Sequence, residues 1–550
     1  MSKITFLKRV HFLQILFVSI FCVTIIPLFG EIPPSSLKLM PAMDVIYHPV
    51  STKNPDAQKS FDRGLTYIFA FNHDISFHEF EKASKLDPDL AMAYWGMALA
   101  LGQNVNEDVT PEREIRCYNY IQKAKLLSSK ASRSEQDYIS ALATRYSNDP
   151  NIDLVSLRSP YRDAMKKLVQ TYPEDLDAAS MYAESILDLD PWKWWSLDGK
   201  PLAGTMEAID VLDFVLMRNP EHIGANHYYV HAFEESPFPA RALMSAHRLT
   251  YLLPEAGHLL HMPTHIFLLV GDYESALRTS KNAISQDRSY YEKYGMSNGT
   301  YPLHYLTHNL YVLARTYMLM EDYQNALNTS FELINFIEPH LEEMPDMGSR
   351  LMIPFEIYLY FHKWKEILEY SFKSKNAFAE SYWHYSRAVA YASLGDIESA
   401  QKEKELMLQS RQRIKLTDEI ANNQAGNVID LATILLDSTV AKAQKKYTES
   451  IDYLKKAVKA QDGLFYDEPP SLHVPVRQIL GFALLQQKQY VEAEKAFQTT
   501  LKSLQRNGRS LFGLSLSLKG QERVVDTYWI EREMTAALKN ATVPLQLEDM

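Results

Sequence analysis

Residues 57–89 read AQKSFDRGLTYIFAFNHDISFHEFEKASKLDPD, and this stretch decides the fold. Its small and large apolar residues stand where two amphipathic helices joined by a tight turn would place them, and a proline closes the second helix. These positions are Gly64, Tyr67, Ser76, Phe80, Ala83 and Pro88. A second copy opens 34 residues after Ser60, at Tyr94 in AYWGMALALG. The chain therefore carries a repeat with a fixed period.

The turn of this unit recurs in the second half of the chain. An aromatic or aliphatic residue follows each turn in GDYESA at Tyr273, EDYQNA at Tyr323, HKWKEI at Trp364, GDIESA at Ile397, KKYTES at Tyr447 and KQYVEA at Tyr490. The period and the turn are those of the tetratricopeptide repeat (TPR), and they predict about eight to ten helical hairpins. Each hairpin buries its apolar faces only against its neighbours. The predicted fold is all-α, a right-handed α-solenoid of tetratricopeptide-type helical hairpins.

The 550 residues divide by composition and by interruptions of the repeat. Insertions at 102–135, 188–205 and 462–475 break the period, and in solenoids such loops gather along one face. The predicted segments are a signal peptide or N-terminal anchor (1–30), a linker (31–56), N-terminal helical repeats with insertions (57–236), C-terminal tetratricopeptide repeats (237–540) and a tail (541–550).

The N-terminus has the form of an export signal. Lys3, Lys8 and Arg9 precede an apolar run at 12–29. We expect an exported protein, periplasmic or extracellular. If the run is not cleaved it anchors the protein, and residues 12–29 are then the membrane contact.

Charge and motifs narrow the function. The net charge of −11 disfavours nucleic-acid binding, which needs clustered Lys and Arg. GxSxG, GxxxxGK[ST], GxGxxG and HExxH are all absent from the sequence, so no enzyme class is assigned. Cys22 lies in the apolar run and Cys117 in an amphipathic stretch, which predicts a small buried side chain rather than a nucleophile.

Histidines are concentrated in one region. Nine of the 17 lie between His222 and His308. Three pairs share the i, i+4 spacing that places two imidazoles on one face of a helix: His227 and His231, His261 and His265, and His304 and His308. If the three helices are neighbours, the six side chains converge on one ion, and binding should fall as the pH drops through about 6.

The candidate ligand set extends beyond the pairs. Glu234, Glu235 and His258 are additional candidates, and such a set suits a divalent transition metal such as Zn, Cu, Fe or Ni. Pro263 stands within the middle pair, so either it kinks the helix or it begins one and leaves His261 in the preceding loop. The alternative is that the imidazoles are structural, or act without metal in proton transfer or anion binding.

Two insertions carry further candidates. Trp192, Trp194 and Trp195 are predicted to pack a long loop onto the helices. Tyr466, Asp467 and Glu468 either supply acidic groups to the groove or form a rigid turn before two prolines.

The sequence also resembles a group of bacterial exported tetratricopeptide-repeat proteins with paired HxxxH segments. The resemblance lies in AMAYWGMALALG from Ala91, DAASMYAESILDLDPWKWW from Asp177, GANHYYVHAFEESPFPARAL from Gly224, AGHLLHMPTHIFLLVGDYESA from Ala256 and LFYDEPPSLHVPVRQILG from Leu464. It implies a helical-repeat fold and a bacterial envelope location, and no established activity. Arg477 and Ser450 depart from the repeat pattern, so the repeat count stays open.

Two functions follow from these observations. The first is a scaffold that binds a protein or peptide partner in its concave groove. The alternative is a metal-binding protein or metal-dependent enzyme with a histidine-rich site in the groove.

Overall fold

The computed structural model describes residues 46–294, 301–342, 344–472 and 474–547. The predicted signal or anchor (1–30), the linker as far as residue 45 and the last three residues of the tail lie outside these ranges. Within them the chain forms 24 α-helices, and consecutive helices pack as twelve pairs. The all-α prediction is confirmed, and the pairs outnumber the eight to ten that were predicted.

The first half runs from the N-terminal repeats to Tyr294 and contains seven of the nine clustered histidines. Its helices are α1 (Pro55–Ile68), α2 (His73–Leu86), α3 (Ala91–Leu101), α4 (Pro111–Leu127), α5 (Arg133–Leu142), α6 (Arg158–Thr171), α7 (Leu176–Leu187), α8 (Thr205–Arg218), α9 (Ile223–Glu234), α10 (Leu243–Leu252), α11 (Gly257–Leu269) and α12 (Tyr273–Tyr294). A π-helical turn, Tyr301–Leu306, precedes the second half.

The second half is more regular. Its helices are α13 (Thr307–Leu319), α14 (Tyr323–Ile337), α15 (Ile353–Tyr360), α16 (Trp364–Glu369), α17 (Ala377–Ser393), α18 (Ile397–Arg411), α19 (Ala425–Ala443), α20 (Tyr447–Gln461), α21 (Val476–Gln486), α22 (Tyr490–Ser503), α23 (Gly508–Gly520) and α24 (Val524–Ala537). Of the described residues, only β1 (Glu419–Ile420) and β2 (Asn423–Gln424) form strands, as one antiparallel hairpin.

One turn geometry joins eight of the twelve pairs. In each of these turns the second residue has a left-handed φ. These residues are Phe71, Gly271, Glu321, His362, Gly395, Lys445, Lys488 and Glu522. The next amide donates to the carbonyl five residues earlier, as in Asp272 to Phe267 and Lys363 to Tyr358, both at 2.8 Å. This is the Schellman ending of a helix. The six turns predicted from sequence are confirmed, and the N-terminal turn at Phe71 and the last turn at Glu522 share their geometry.

Glycines let the helices of the repeats approach closely. A Cβ at Gly481 would stand 2.6 Å from the ring of Phe497, and one at Gly513 would stand 2.2 Å from it. Gly64 and Gly96 meet Phe80 in the same way, at 2.7 and 2.4 Å. The buried aromatic ring of each unit thus occupies the space that two glycines leave.

The last repeats pack against the middle of the chain. Arg509 forms a buried two-pronged ion pair with Glu321, at 2.8 and 2.9 Å, and donates to the carbonyl of Tyr360 at 2.7 Å. The Tyr273 hydroxyl donates to the carbonyl of Gln505 at 2.9 Å. These contacts join residues 188 and 232 positions apart, so the last repeats lie directly against the middle of the chain.

The insertions meet at one cavity. Residues of the 104–108 loop, the 191–193 loop, the β-hairpin and the 465–468 loop line one cavity of about 730 Å³. The expectation that insertions gather on one face is confirmed. None of the described helices is both long and apolar enough for a membrane crossing.

Candidate metal centre

Three helices bring the histidines to the wall of this cavity. Helix α9 carries His227 and His231, α11 carries His258, His261 and His265, and α13 carries His308. Pro263 lies inside α11, so the helix continues through it and the alternative in which His261 belongs to a preceding loop is wrong.

The structure groups these six side chains into two triads. We call His227, His231 and His258 the inner triad, and His261, His265 and His308 the outer triad. In each triad one ligand atom from every side chain lies within 4.8 Å of the others. The predicted i, i+4 pairs are kept on α9 and α11, but the third member of each triad comes from another helix. The single ion shared by three pairs is therefore not the arrangement that the geometry supports.

The inner triad is tightly packed. His231 Nε2 and His258 Nε2 each lie 3.1 Å from His227 Nε2. His227 Nδ1 donates to the carbonyl of Phe69 at 2.7 Å. The ring of Phe71 covers one side of the triad, 4.5 Å from that of His227 and 5.6 Å from that of His258. The backbone at the α1–α2 turn thus holds this triad in place.

The outer triad is more open to the cavity. His308 Nε2 lies 3.0 Å from His261 Nε2, and the rings of His261 and His265 are perpendicular, with centroids 4.3 Å apart. Glu468 Oε2 lies 2.8 Å from His265 Nδ1. His308 is half-buried, whereas the three inner imidazoles are buried.

His304 belongs to neither triad. It lies in the π-helical turn and faces the cavity. His308 lines the same cavity, so the pairing of His304 with His308 as ligands of a metal ion stays a prediction.

The two acidic candidates on α9 have different roles. Glu234 Oε1 accepts from His231 Nδ1 at 2.6 Å, and its side chain is fully buried. Glu235 Oε1 accepts the backbone amides of Trp194 and Trp195, at 2.7 and 3.1 Å. Glu234 supports a ligand, while Glu235 anchors a loop and does not reach the triads.

The tryptophan loop packs onto the helices as predicted. The indole of Trp194 donates to the carbonyl of Leu187 at 2.9 Å, and that of Trp195 to Ala232 at 2.8 Å. Trp192 does something else. It has a left-handed φ of 60°, lines the cavity and presents its ring to the edge of His231, with centroids 5.6 Å apart. A bulky residue rarely adopts this conformation, and such strain gathers at functional sites.

The 462–475 loop supplies the carboxylate of the outer triad. Asn423 ties it down, because its side chain donates to the carbonyl of Phe465 at 3.0 Å and accepts from the amide of Phe465 at 2.8 Å. The Tyr466 hydroxyl donates to Glu468. Asp467 and Glu468 line the cavity, in agreement with the interpretation in which this loop supplies acidic groups. No sequence spacing connects Glu468 to His265, which lies more than 200 residues earlier.

Burial sets the protonation of the site. It lowers the pKa of His227 and of His265 to about 3 and holds the pKa of the other four imidazoles well below 6.5. It raises the pKa of the Glu468 carboxyl to about 8 and that of Asp467 to about 7. At neutral pH the imidazoles are neutral, so each can present a lone pair.

Cys117 and His222 lie outside the triads. Cys117 is buried, and burial raises the pKa of its thiol to about 12, which confirms a packing role. His222 caps α9, since its Nδ1 accepts from the amide of Ala225 at 3.1 Å, and its Nε2 lies 3.1 Å from Asp177 Oδ1. This histidine is structural.

The comparisons with known proteins concern the fold alone. No family model and no curated protein matches the chain. Among solved structures it is similar to the human IFIT1 dimer with m7Gppp-AAAA, at 13% identity over 90% of this chain and 91% of that one, with a TM-score of 0.35. It is also similar to the APC/C hetero-tetramer Cut9–Hcn1, at 13% identity over 90% of this chain and 75% of that one, with a TM-score of 0.29. Its similarity to yeast Tom70 is 11% identity over 88% of this chain and 93% of that one, with a TM-score of 0.28.

At these scores the likenesses carry no argument about function. The repeated turn, the paired helices and the 34-residue period define the class of this protein, an α-solenoid of TPR-type hairpins. That fold is typical of protein-binding scaffolds.

Proposed function

We propose that this protein binds a divalent transition-metal ion at the outer triad and uses it on a small ligand that enters the cavity. The observation that carries the proposal is the convergence of three neutral imidazoles, from α11 and α13, on one point of the cavity wall. Imidazole nitrogen suits Zn, Cu, Fe and Ni.

The surroundings of the outer triad favour a metal site that binds a ligand over a purely structural metal site. Three protein ligands leave a coordination position for water or for a ligand, which is the pattern of catalytic zinc sites. Glu468 faces Nδ1 of His265, as carboxyl groups do behind metal-binding histidines, and so fixes the orientation of that ring. The cavity of about 730 Å³ is within the range that small-molecule sites occupy. A bound ion there would act as a Lewis acid and lower the pKa of a bound water.

Metal analysis of protein purified without a histidine tag tests the proposal. We expect at least one Zn, Cu, Fe or Ni per chain, with a clear loss of metal in His265→Ala and in His308→Ala. His247→Ala is the matched control, because His247 is exposed on α10 and belongs to neither triad. A protein that is metal-free and takes up no Zn²⁺ would exclude the proposal, and so would unchanged metal content in both triad variants.

A second candidate function is the docking of a peptide partner in the C-terminal repeats. A separate cavity of about 760 Å³ lies there, with aromatic walls that include Tyr360, Trp364, Tyr385 and Phe482. A photo-crosslinking residue at Thr439, which lines this cavity, should give a discrete adduct with the partner in cells. The same residue at exposed Glu405 serves as control. Equal labelling at both positions, or none at Thr439, would remove this candidate.

We further propose that the protein is exported. The support is the sequence pattern of Lys3, Lys8 and Arg9 followed by the apolar run at 12–29. Residues 1–40 fused to alkaline phosphatase, which is active only outside the cytoplasm, should give active enzyme. A fusion in which Lys3, Lys8 and Arg9 are changed to Glu should give less active enzyme. Cytosolic fractionation of the native protein with Met1 intact would contradict export.

A further inference from the structure

We infer that the inner triad binds a second transition-metal ion, so that the cavity wall carries a two-ion centre. The inference rests on the proposed function, because it concerns the same cavity and the same class of metal. It depends, however, on separate atoms. His227, His231 and His258 contribute nothing to the outer triad, and their geometry stands without it.

The proton on His227 is the first step of the argument. Its Nδ1 lies 2.7 Å from the carbonyl oxygen of Phe69, which can only accept a hydrogen bond. Nδ1 therefore carries the ring proton, and Nε2 of the neutral ring presents its lone pair. That lone pair points toward the other two imidazoles of the triad.

The positions of those imidazoles are the second step. His231 Nε2 and His258 Nε2 both lie 3.1 Å from His227 Nε2. A ring nitrogen has one lone pair in its plane and accepts one well-aligned hydrogen bond. If one neighbour donates to it, the other neighbour is left at contact distance without that bond. A cation between the three accepts one lone pair from each and resolves the conflict.

The distances fit such an ion. Zinc–nitrogen bonds of about 2.0–2.1 Å at tetrahedral angles place two ligand nitrogens about 3.3 Å apart. The 3.1 Å separations of the inner triad and the 3.0 Å separation of His308 from His261 are close to this value. Small movements of buried rings would complete either site.

A carboxyl group contacts one histidine of each triad in the same way. In each, one imidazole faces a buried carboxylate through Nδ1: His231 faces Glu234 at 2.6 Å, and His265 faces Glu468 at 2.8 Å. The carboxyl group behind each triad orients one ligand of that site. Atoms of Glu234, His265 and Glu468 lie within 4.8 Å of one another, so the two supports are neighbours.

Both triads open to the same space. His231 and His258 line the cavity together with His261, His265 and His308. His258 and His261 stand one turn apart on α11, with ring centroids 6.2 Å apart. Phe71 covers the opposite side of the inner triad. The open position of the second ion therefore faces the ligand space of the first.

Ion stoichiometry tests the inference on the full chain. Untagged protein, stripped with a chelator and dialysed, is titrated with Co²⁺ and with Zn²⁺, and bound metal is counted by mass spectrometry. We expect two ions per chain, one in His258→Gln, one in His308→Gln and none in the double variant. Circular dichroism checks that each variant is folded, and His231→Gln replaces His258→Gln if the latter is not.

The outcomes separate the two claims. One ion per chain in the wild type overturns the inference, whichever variant loses it. If that ion is lost in His308→Gln and kept in His258→Gln, the proposed function survives. If it is lost in both, the six histidines share one site. No bound ion at all overturns both claims, and the wild-type count decides between one ion and two even if every inner-triad variant misfolds.

Discussion

The affinity for Zn²⁺ is expected to change by less than tenfold between pH 7 and pH 5.5. Protons compete with metal for imidazole nitrogen, and an imidazole with a pKa of 6.5 loses about tenfold in availability one pH unit below that value. Three such ligands would lose about a thousandfold at pH 5.5. In the outer triad burial lowers the pKa of His265 to about 3 and holds the pKa of His261 and His308 well below 6.5.

The lowered pKa values set the direction in which the pH of metal loss moves. A lowered pKa keeps the imidazole neutral to lower pH, so the loss of metal moves from about pH 6, as expected from sequence, toward the acid side. Competition with a chelator of known affinity at each pH measures this, with a hexahistidine peptide as the control with exposed imidazoles. A loss of a thousandfold at pH 5.5, matching the peptide, would show that protonation of the site is not suppressed by burial.

Arg509→Met is expected to destabilise the C-terminal repeats by about 3–5 kcal/mol. The variant leaves Glu321 as a buried carboxylate without its cation, and the side chain of Glu321 has no exposed surface. It also breaks the bond to the carbonyl of Tyr360. Because this ion pair joins residues 188 positions apart, its loss should also loosen the packing of the last repeats against the middle of the chain. The unfolding midpoint in urea, followed by circular dichroism, measures the effect.

Arg411→Met is the matched control for this variant. Arg411 pairs with Asp430 at 3.0 Å, but the two side chains are 26% and 57% exposed, so the pair is worth about 0–1 kcal/mol. The double variant Arg509→Met with Glu321→Gln should recover part of the loss, because the unpaired charge is gone. Equal midpoints for Arg509→Met and Arg411→Met would mean that the ion pair of Arg509 with Glu321 contributes little.

The hairpin turns and the helical faces could be predicted from the sequence because they depend on residues that are close together in the chain. The turn of each hairpin follows from a helix end, a residue tolerant of a left-handed φ and an apolar residue beginning the next helix, as at Gly271 and Tyr273. The i, i+4 spacing of His227 and His231 likewise places both on one face of α9 without reference to any other helix.

Contacts between segments that are distant in the chain could not be predicted from the sequence in this way. Leu480 is half-buried, whereas Phe497 of another helix fills the space between Gly481 and Gly513. The grouping of the histidines was misjudged for a similar reason. Spacing says which imidazoles share a helical face, but not how helices from different repeats are rotated against each other.

The sequence by itself therefore determined the helical repeat, its turns and the region where imidazoles would gather. Only the tertiary structure decided that His258 joins His227 and His231, that His308 joins His261 and His265, and that Glu468 stands behind His265. The physical reason is the range of the interactions. A hairpin is specified by bonds within about 34 residues, whereas the centre forms where the fold brings together segments as far apart in the chain as Phe69, His227 and Glu468.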